Sequence, residues 1–391
     1  MDSIVNDAIV EASRAEIAFC KFLSANDTGE TGGHQAGIYI SKPAIPLIFD
    51  TPGERGSNKD RWVKFLWQND FETDSRFIYY GQGTRNEYRI TNFGRNFPYL
   101  KPAYTGALMV ICKVSNENYR GFVLNTEEEI DEFLSAFDLS PTETNNIIHV
   151  AQDVHQPSEQ EEIEEFIRNL TEEFPSSIQM SAAAREIYLR LGNREDIVRT
   201  NPDSLIIQWT DQEYRLFRAV EKARFLETVQ HGFDTVDDFI SIANQLLNRR
   251  KSRAGKGLEH HLAALFSGND LLFEEQVKTE GNKRPDFIFP SGAAYRNSNY
   301  PTNKLVSLAS KTTCKDRWRQ VINEADRLRD EYKYLFTLQP GISSQQMEEM
   351  QAEKVLLVVP APLIKEYPAD KQGRIFTVKR FIDFIKEKEG I

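Results

Sequence analysis

The two halves of the chain differ in the spacing of their apolar residues. In roughly the first 125 residues, short runs rich in aromatic and β-branched residues alternate with turns rich in glycine and asparagine, a pattern typical of strands. The clearest runs are GIYI, KFLW, RFIYYG, EYRIT, GALMVICKVS and YRGFVLN. Their spacing predicts a small barrel or sandwich in the first 150 or so residues.

In the second half, the apolar residues recur at the period of an α-helix. Apolar positions at i, i+3, i+4 and i+7 predict helices in SAAAREIYLRLG, DQEYRLFRAVEKARFLETVQHG, VDDFISIANQLLNRR and GLEHHLAALF. Strands are predicted at PDFIFP, KLVSLASKT, YLFTLQ and VLLVVP, with a helix from Asp316 to about Tyr334 between the second and third of these. Strands interleaved with helices indicate an α/β domain.

Charge is concentrated between the two patterns. The net charge is −11, yet the segment from Thr126 to Phe174 holds fifteen acidic residues against one basic residue, Arg168. The rest of the chain is mildly basic and can attract phosphates. The composition of the acidic segment suits a linker carrying short helices. A solvated helical face, or a segment that docks on a basic DNA-binding surface, would have the same composition. The predicted domains are residues 1–150 and 176–391, joined by an acidic linker at 151–175.

Composition excludes several classes of protein. At 40% hydrophobic residues the chain is globular rather than disordered. It has no apolar run long enough to span a membrane and no secretory signal at the N-terminus, so no membrane partner is expected. Its three cysteines are too few and too scattered for a disulfide framework or a four-cysteine zinc site. A reducing, cytoplasmic location is therefore expected.

The segment PDFIFP carries the first candidate for catalysis. Asp286 opens this apolar run and lies 25 residues before Lys311, which ends the next predicted strand. An aspartate can hold a divalent cation at a scissile phosphate while a lysine positions the attacking water, as in PD-(D/E)xK nucleases. The acid usually found two residues before the lysine is replaced by Ala309. A second carboxylate must therefore come from another part of the chain.

Two glutamates are candidates for that carboxylate. Glu324 shares a predicted helical face with Val321 and Leu328, and Glu259 lies beside Leu258. An acid on an apolar face is costly unless it is paired or binds a metal, so a structural salt bridge is the alternative interpretation. Together with Asp286, the two glutamates would give a hard-oxygen site suited to Mg²⁺.

Basic and polar residues nearby could contact DNA. Within NRRKSRAGKGLE, a predicted helix places Arg249, Arg253 and Lys256 on one face, which suits phosphate contact or simply a solvated basic patch. At the predicted helix start KDRW, arginine or lysine could bind guanine and aspartate could accept from cytosine. A capping aspartate with flanking charges is the alternative there.

The N-terminal half offers its own DNA-contacting candidates. In TRNEYRIT, a strand would point Arg85, Glu87 and Arg89 to one face. That row could read base edges or form a cross-strand ladder of ion pairs. His34 and Tyr39 flank a glycine-rich loop and could add contacts.

Five segments together resemble the EcoRII family of type IIE restriction endonucleases. They are KFLSANDTGETGGHQAGIYI, TRNEYRIT, NRRKSRAGKGLE, TEGNKRPDFIFPSGAAY and KTTCKDRWRQVINEAD. The resemblance covers nearly the whole chain and is weakest in the acidic segment and at both ends. It implies a homodimer whose N-terminal B3-like pseudobarrel binds an effector copy of the recognition site. The C-terminal domain would have the PD-(D/E)xK fold, cut duplex DNA with Mg²⁺ and be covered by the effector domain until DNA binds.

The resemblance also implies roles for residues at matching positions. The implied active site is Glu259, Asp286, Tyr295, Lys311 and Glu324, with Asp286 and Glu324 as cation ligands. The residues implied to read the bases are Lys315, Asp316 and Arg317. The implied effector contacts are Lys21, His34, Tyr39, Arg76, Arg85, Glu87 and Arg89.

One departure from the family concerns the centre of the recognition site. Tyr214 matches an aromatic residue that holds a flipped base, but Thr210 stands where the family has an arginine. Flipping a base costs a few kcal/mol and needs a pocket to receive it. The sequence therefore leaves both CCWGG and another CC…GG variant open as the site.

The chain is accordingly expected to be a Mg²⁺-dependent type II endonuclease that cuts double-stranded DNA, with two or more sites bound at once. Two alternatives stay open. A non-catalytic DNA-binding regulator is favoured by Ala309. A methylation-dependent endonuclease would use the barrel to read modified DNA.

Overall fold

A computed structural model describes residues 3–30, 37–94, 96–148, 157–192 and 196–390. The chain divides into two compact units. The N-terminal unit comprises Met1–Gln152 with two later segments, Gln339–Met347 and Lys365–Gln372. The C-terminal unit comprises Asp153–Leu338, Glu348–Ile364 and Gly373–Ile391.

The N-terminal unit is built around one eight-stranded sheet. Its helices are α1 (Ile4–Arg14), α2 (Ile45–Ile48) and α3 (Glu127–Ala136). Its strands are β1 (Ile17–Phe22), β2 (Ile38–Ile40), β3 (Lys59–Trp67), β4 (Phe71–Tyr80), β5 (Glu87–Thr91), β6 (Leu108–Lys113), β7 (Asn118–Leu124) and β8 (Asn146–Ile147). The strand order is β2-β5-β4-β3-β7-β6-β1-β8, and only β3 and β7 pair in parallel. All six predicted strands are confirmed, and β1 and β8 are further strands.

Both faces of this sheet are covered by apolar side chains. Along β6, Met109 and Ile111 join an aromatic core on one face, while Val110 joins a second core beneath α1 and α3. In the aromatic core Trp67 stacks on Phe65, with ring centroids 5.0 Å apart. Because successive residues of a strand point to opposite faces, a strand buried on both sides reads as a continuous apolar run.

The prediction that the acidic segment carries short helices is confirmed, and both helices are packed. Thr126 and Glu129 form a capping box at the start of α3, whose Phe133 is fully buried. In the C-terminal unit, α4 (Pro157–Asn169) buries Ile163. Each acidic helix therefore packs an apolar stripe against a core and leaves most of its acids at least partly exposed, although Glu127 and Glu159 are buried.

The C-terminal unit combines a five-stranded sheet with helices. Its strands are β9 (Glu274–Glu275), β10 (Phe287–Phe289), β11 (Val306–Lys311), β12 (Lys333–Thr337) and β13 (Val355–Val358). The helices besides α4 are α5 (Ser177–Arg190), α6 (Ile197–Thr200), α7 (Pro202–His231), α8 (Val236–Gly268), α9 (Gly292–Arg296), α10 (Trp318–Ile322), α11 (Ser344–Ala352), α12 (Ala361–Ile364) and α13 (Val378–Glu389). The order is β13-β12-β11-β10-β9, with β11, β12 and β13 parallel and β10 antiparallel to both neighbours. Within the described ranges, no helix combines the length and apolar character needed to cross a membrane.

Helix α8 is one continuous helix where the sequence predicts two. Gly257 sits in its middle against the carboxylate of Glu213 on α7, where any Cβ would collide with that carboxylate. The buried Glu213 also pairs with His261 Nε2 at 2.9 Å and accepts from the Ser181 hydroxyl. Gly257 therefore allows two helices to pack closely and does not end a helix. This packing outweighs the low helix propensity of glycine.

The helix that follows Lys311 is much shorter than predicted. Instead of continuing to about Tyr334, α10 ends at Ile322. The buried ammonium of Lys333 donates to the carbonyl oxygens of Ile322 and Glu324, and Ala325 adopts a left-handed conformation with φ 53°. Because these carbonyls bond to a lysine instead of the next helical turn, the chain turns at Glu324.

Candidate active site

Asp286 and Lys311 meet at the ends of two paired strands. Residues 287–289 pair with residues 306–308 in antiparallel register, which brings Asp286 beside the end of β11. The Asp286 Oδ2 atom accepts the backbone N–H of Ser310 at 2.7 Å and lies 3.6 Å from Lys311 Nζ. The aspartate is buried and the lysine is partly exposed, so the amine can reach solvent while it stays beside the acid.

Gln276 joins two of the predicted acids. Its side-chain nitrogen donates to Glu259 Oε2 at 3.0 Å and to Asp286 Oδ1 at 2.9 Å. The backbone of Gln276 is left-handed with φ 52°, and its N–H donates to the Asp286 carbonyl at 3.0 Å. A non-glycine residue in this region is strained, so the loop holds an unfavourable conformation that places the amide between two carboxylates.

The electrostatics place Glu324 beside the same acids. Burial and the nearby charge of Asp286 raise the pKa of Glu324 to about 7, partly offset by Lys311. Burial and the charge of Asp286 also raise the pKa of Glu259. Like charges in a poorly solvated site disfavour full ionisation. The structure thus brings Glu259, Asp286, Lys311 and Glu324 into one electrostatic neighbourhood.

Tyr295 supports this site from outside it. Its hydroxyl donates to both carboxylate oxygens of Glu280 at 2.8 Å. Glu280 in turn accepts the backbone N–H groups of Asp326 and Arg327 at 3.0 and 3.1 Å. These hydrogen bonds hold the pKa of Glu280 below its ordinary value although burial opposes them. Tyr295 and Glu280 therefore fix the turn that carries Glu324, and no pattern in the sequence indicated a role for Glu280.

The donor set fits a divalent cation. In the described part of the chain, no three His, Cys, Asp or Glu side chains are already arranged as a metal-binding cluster. The carboxylates of Asp286 and Glu324 nevertheless interact, and burial resists ionisation of Glu324. Hard cations prefer carboxylate oxygens, and a positive charge here would offset both the burial and the repulsion that raise the pKa of Glu324.

The three predicted phosphate-binding residues do not share one exposed face. Lys256 is exposed and lies 3.6 Å from Glu259 Oε2. Arg249 stacks on Phe174 with its guanidinium 4.7 Å from the ring centroid. Arg253 is buried, and its guanidinium lies 3.6 Å from the centroid of the buried Tyr214 ring. Arg253 and Tyr214 are thus packed against each other inside the helical layer, because cation–π stacking and burial of the aromatic ring favour it.

The residues predicted to read bases precede α10. Asp316 is exposed and lies 3.8 Å from Arg319, while Arg317 is partly exposed and is the N-cap residue of α10. Lys315 is buried in this structure. The three residues follow Lys311, the last residue of β11, by four to six positions.

In the N-terminal unit, the predicted effector residues are mostly bound to neighbouring groups. Lys21 Nζ lies 2.7 Å from Asp27 Oδ2 and donates to the carbonyl of Tyr39 at 3.0 Å. Arg89 lies opposite Tyr39 in the β2–β5 pairing and bonds to Glu87 Oε2 at 3.2 Å. Glu87 and Arg89 thus form an ion pair along one strand, β5, and not the predicted cross-strand ladder.

One effector prediction, that Arg85 shares the strand face, differs from the structure, and another concerns a residue outside the described part of the chain. Strand β5 begins at Glu87, so Arg85 precedes it and stands over the Tyr80 ring instead of sharing the strand face. The reason is a turn in which the Arg85 N–H donates to the Gln82 carbonyl. Arg76 lies on β4 opposite Thr91 and is partly exposed. His34 lies outside the described residues.

Comparisons with known proteins cover both halves of the chain. Residues 12–138 match the family described as Restriction endonuclease EcoRII, N-terminal, and residues 217–382 match the family described as EcoRII C terminal. The type II restriction enzyme EcoRII of Escherichia coli is 36% identical over 400 residues, which cover 93% of this chain and 92% of that enzyme. The type II restriction enzyme SsoII of Shigella sonnei is 26% identical over 190 residues, covering 42% of this chain and 61% of that enzyme. Metal-depleted Ecl18kI in complex with uncleaved, modified DNA superposes with a TM-score of 0.46 at 20% identity, covering 59% of this chain and 83% of that chain.

These matches define the class of protein as a type II restriction enzyme, that is, a site-specific deoxyribonuclease. The chain belongs to the EcoRII family. The predicted fold class is confirmed: a mainly β, B3-like N-terminal domain and an α/β catalytic domain with the PD-(D/E)xK restriction-endonuclease fold. The predicted enzyme class is confirmed as well.

The raised pKa of Glu324 predicts how the stability of the metal-free protein depends on pH. Between its ordinary value of 4.5 and about 7, the folded protein holds a proton that the unfolded chain releases. Stability contributed by Glu324 therefore falls as pH rises through this window. We expect Glu324→Gln to stabilise the metal-free protein by about 1–3 kcal/mol at about pH 8 and by little at about pH 4.

Urea unfolding in EDTA at these two pH values measures the difference. Glu353→Gln is the matched control, since Glu353 is an exposed glutamate of the same unit. Equal stabilisation by Glu324→Gln at both pH values would show that Glu324 does not titrate near neutral pH.

Proposed function

We propose that the protein cleaves double-stranded DNA at a CC…GG site, CCWGG or a close variant, by Mg²⁺-dependent hydrolysis of the phosphodiester. The observation that carries this proposal is the arrangement at Asp286, whose carboxylate lies 3.6 Å from Lys311 Nζ and, together with burial, raises the pKa of Glu324. An amine beside clustered carboxylates suits hydrolysis of a phosphodiester, because the acids hold a cation and the amine holds water.

In this proposal Asp286 and Glu324 hold Mg²⁺, which supplies positive charge at the scissile phosphate when bound. Lys311 Nζ orients a water molecule and stabilises its oxygen as it loses a proton. The water oxygen attacks phosphorus in line with the bond to the 3′ oxygen, and that bond breaks to leave a 5′-phosphate and a 3′-hydroxyl. Glu259 supports Asp286 through their shared bond to Gln276. Tyr295 supports Glu324 through Glu280.

Recognition of the site is assigned to residues around the catalytic strands. Lys315, Asp316 and Arg317 read the C·G pairs, and Arg249, Arg253 and Lys256 bind phosphates. Because Lys315 and Arg253 are buried, their contacts require side chains to move when DNA binds, as is common at binding surfaces. Tyr214 is also buried, so its contact with a flipped base requires the same kind of side-chain movement.

The N-terminal domain is proposed to bind a second, effector copy of the site and to inhibit cleavage until it does so. Lys21, Tyr39 and Arg89 line a cavity of about 320 Å³ together with the segment Lys365–Gln372. That segment comes from the C-terminal half of the sequence yet belongs to the N-terminal unit. DNA that occupies this cavity would displace the segment, which supports a link between effector binding and release of inhibition.

The proposed domains are residues 1–150 and 176–391 with a linker at 151–175, and residues 339–347 and 365–372 pack with the first. We further propose a homodimer, because each chain supplies one candidate active site whereas a duplex has two strands to cut. The three cysteines are free, which supports a bacterial cytoplasmic location.

Replacing the lysine tests the chemistry. Lys311→Ala should keep specific DNA binding and lose cleavage by at least about 100-fold, because the water loses its positioning group. Gel-shift and plasmid-cleavage assays with Mg²⁺ measure the two effects, and Lys304→Ala, an exposed lysine before the same strand, is the control.

Normal cleavage by the Lys311→Ala variant would remove Lys311 from the mechanism. Plasmids of known sequence and methylation state separate the other candidates. No cleavage by the parent protein under any condition would favour a regulator, and cleavage of methylated plasmid alone would favour a methylation-dependent nuclease.

Removing the N-terminal domain tests the inhibition. Residues 176–391 alone should cut single-site DNA faster than the full chain, since nothing then restrains the catalytic domain. Initial rates on a one-site plasmid measure this effect, with a thermal melt as the folding control. A folded fragment that cuts no faster than the full chain would contradict autoinhibition.

A further inference from the structure

Strand β3 presents an exposed tryptophan on the face of the sheet that points away from the aromatic core. Along this strand Phe65 and Trp67 belong to that core. Side chains alternate along a strand, so Trp62 points to the opposite face, and 54% of its surface is exposed. The other three tryptophans, Trp67, Trp209 and Trp318, are at most 5% exposed. Trp62 is therefore a large aromatic side chain that the fold does not use in a core.

The strand register places Trp62 beside residues already predicted to contact effector DNA. In the β3–β4 pairing Trp62 lies directly opposite Arg76, and in the β4–β5 pairing Arg76 lies opposite Thr91. Arg89 lies two residues from Thr91 on β5, points to the same face and pairs with Tyr39 on β2. We call the face that carries Tyr39, Trp62, Arg76 and Arg89 the outer face.

The outer face is narrow compared with duplex DNA. Neighbouring strands lie about 4.8 Å apart, so β3 is about 10 Å from β5. The major groove of DNA alone is about 12 Å wide, and the whole duplex is wider than one of its grooves. A duplex that contacts Arg89 on β5 therefore extends over Trp62 on β3.

Arg76 differs from other predicted effector residues in lacking an acid beside it. Arg89 pairs with Glu87 at 3.2 Å, and Lys21 pairs with Asp27 at 2.7 Å. Among the residues that the structure describes, no acid forms an ion pair with Arg76, and its Nε atom is shielded from solvent without a hydrogen-bond acceptor. A guanidinium in this state suits an acceptor from outside the chain, and phosphate oxygens bind guanidinium strongly.

Trp62 and Arg76 also form the accessible part of the outer face. Lys21 and Arg89 are buried and line the cavity that they share with the segment Lys365–Gln372. Trp62 is exposed and Arg76 is partly exposed, and neither lines that cavity. DNA can therefore reach Trp62 and Arg76 while the segment is still in place.

We infer that Trp62 is a further contact for effector DNA and packs, beside Arg76, against one sugar–phosphate strand of the duplex. The Arg76 guanidinium binds a phosphate oxygen, the indole ring of Trp62 covers the adjoining deoxyribose, and its Nε1–H donates to the phosphate backbone. Tryptophan suits this place because its ring is apolar and its N–H is polar. Such contacts fix the register and orientation of a duplex and do not read its bases. The inference rests on the proposed effector function of the N-terminal domain.

Quenching of tryptophan fluorescence by acrylamide tests the contact directly. The quencher reports mainly on Trp62, because the other three tryptophans are buried. In the full chain without metal, acrylamide should quench the parent protein strongly and Trp62→Phe much less. A saturating duplex with one CCWGG site should lower quenching of the parent to the level of Trp62→Phe. Acrylamide is uncharged, so the charge of the DNA does not exclude it.

Salt dependence tests the phosphate contact beside Trp62. The DNA concentration that half-protects Trp62 measures binding at the outer face. Arg76→Ala should raise this concentration by about 10-fold and lower the slope of log affinity against log salt by about 1, equally for a CCWGG duplex and a scrambled duplex, because one phosphate contact is lost. Lys101→Ala, an exposed lysine of the same unit, is the control and should change neither value. An unchanged slope in Arg76→Ala would overturn the phosphate contact.

Fluorescence anisotropy of a labelled duplex separates failure of the inference from failure of the proposed function. If the duplex binds the full chain while Trp62 stays open to acrylamide, the inference is overturned and DNA binding survives. If quenching of Trp62 falls as the protein is concentrated without DNA, another copy of the chain covers it, which also overturns the inference. If no duplex binds, both the inference and the proposed function fail.

Discussion

The crowding of carboxylates around Asp286 is the constraint on which the rest of the site depends. Burial, and then the nearby charge of Asp286, raise the pKa values of both Glu259 and Glu324. Without compensating charges or hydrogen bonds, such a cluster of acids would destabilise the folded protein. The fold offsets part of this repulsion with the Gln276 amide, the Ser310 N–H and the Lys311 ammonium. The remainder is what the proposed divalent cation would relieve.

The scaffold holds this crowded site by contacts made at a distance from it. Gly257 lets α8 approach Glu213 on α7, and the same helix carries Glu259 two residues later. On the opposite side, Glu280 fastens the turn after Glu324 through two backbone N–H groups. Burial lowers the pKa of His261, whose Nε2 lies 2.9 Å from Glu213 Oε2, so the two helices also meet through this pair. Rigid support of this kind keeps like charges close when repulsion would separate them.

Local patterns in the sequence predicted what depends on local physics. Strand and helix periods, the acids and the lysine of the site all follow from side-chain type and spacing. The rest depends on contacts between residues far apart in the chain. No sequence pattern around Gln276 indicates that its amide joins two carboxylates. Its left-handed backbone conformation likewise depends on the fold around it. Likewise, α10 ends early because Lys333 reaches back to its carbonyls, and Arg253 is buried because aromatic residues of α7 lie beneath it.

The electrostatic coupling between Asp286 and Glu324 is the property that tests a shared pocket most directly. The pKa of Glu324 can be followed in the metal-free protein by NMR of ¹³C-labelled glutamate carboxyl groups, with Glu324→Gln used to assign the signal. If Asp286 contributes to the value of about 7, Asp286→Asn should move the pKa of Glu324 clearly toward its ordinary value of 4.5. A pKa of Glu324 that is ordinary in the parent protein, or that does not change in Asp286→Asn, would contradict a shared pocket.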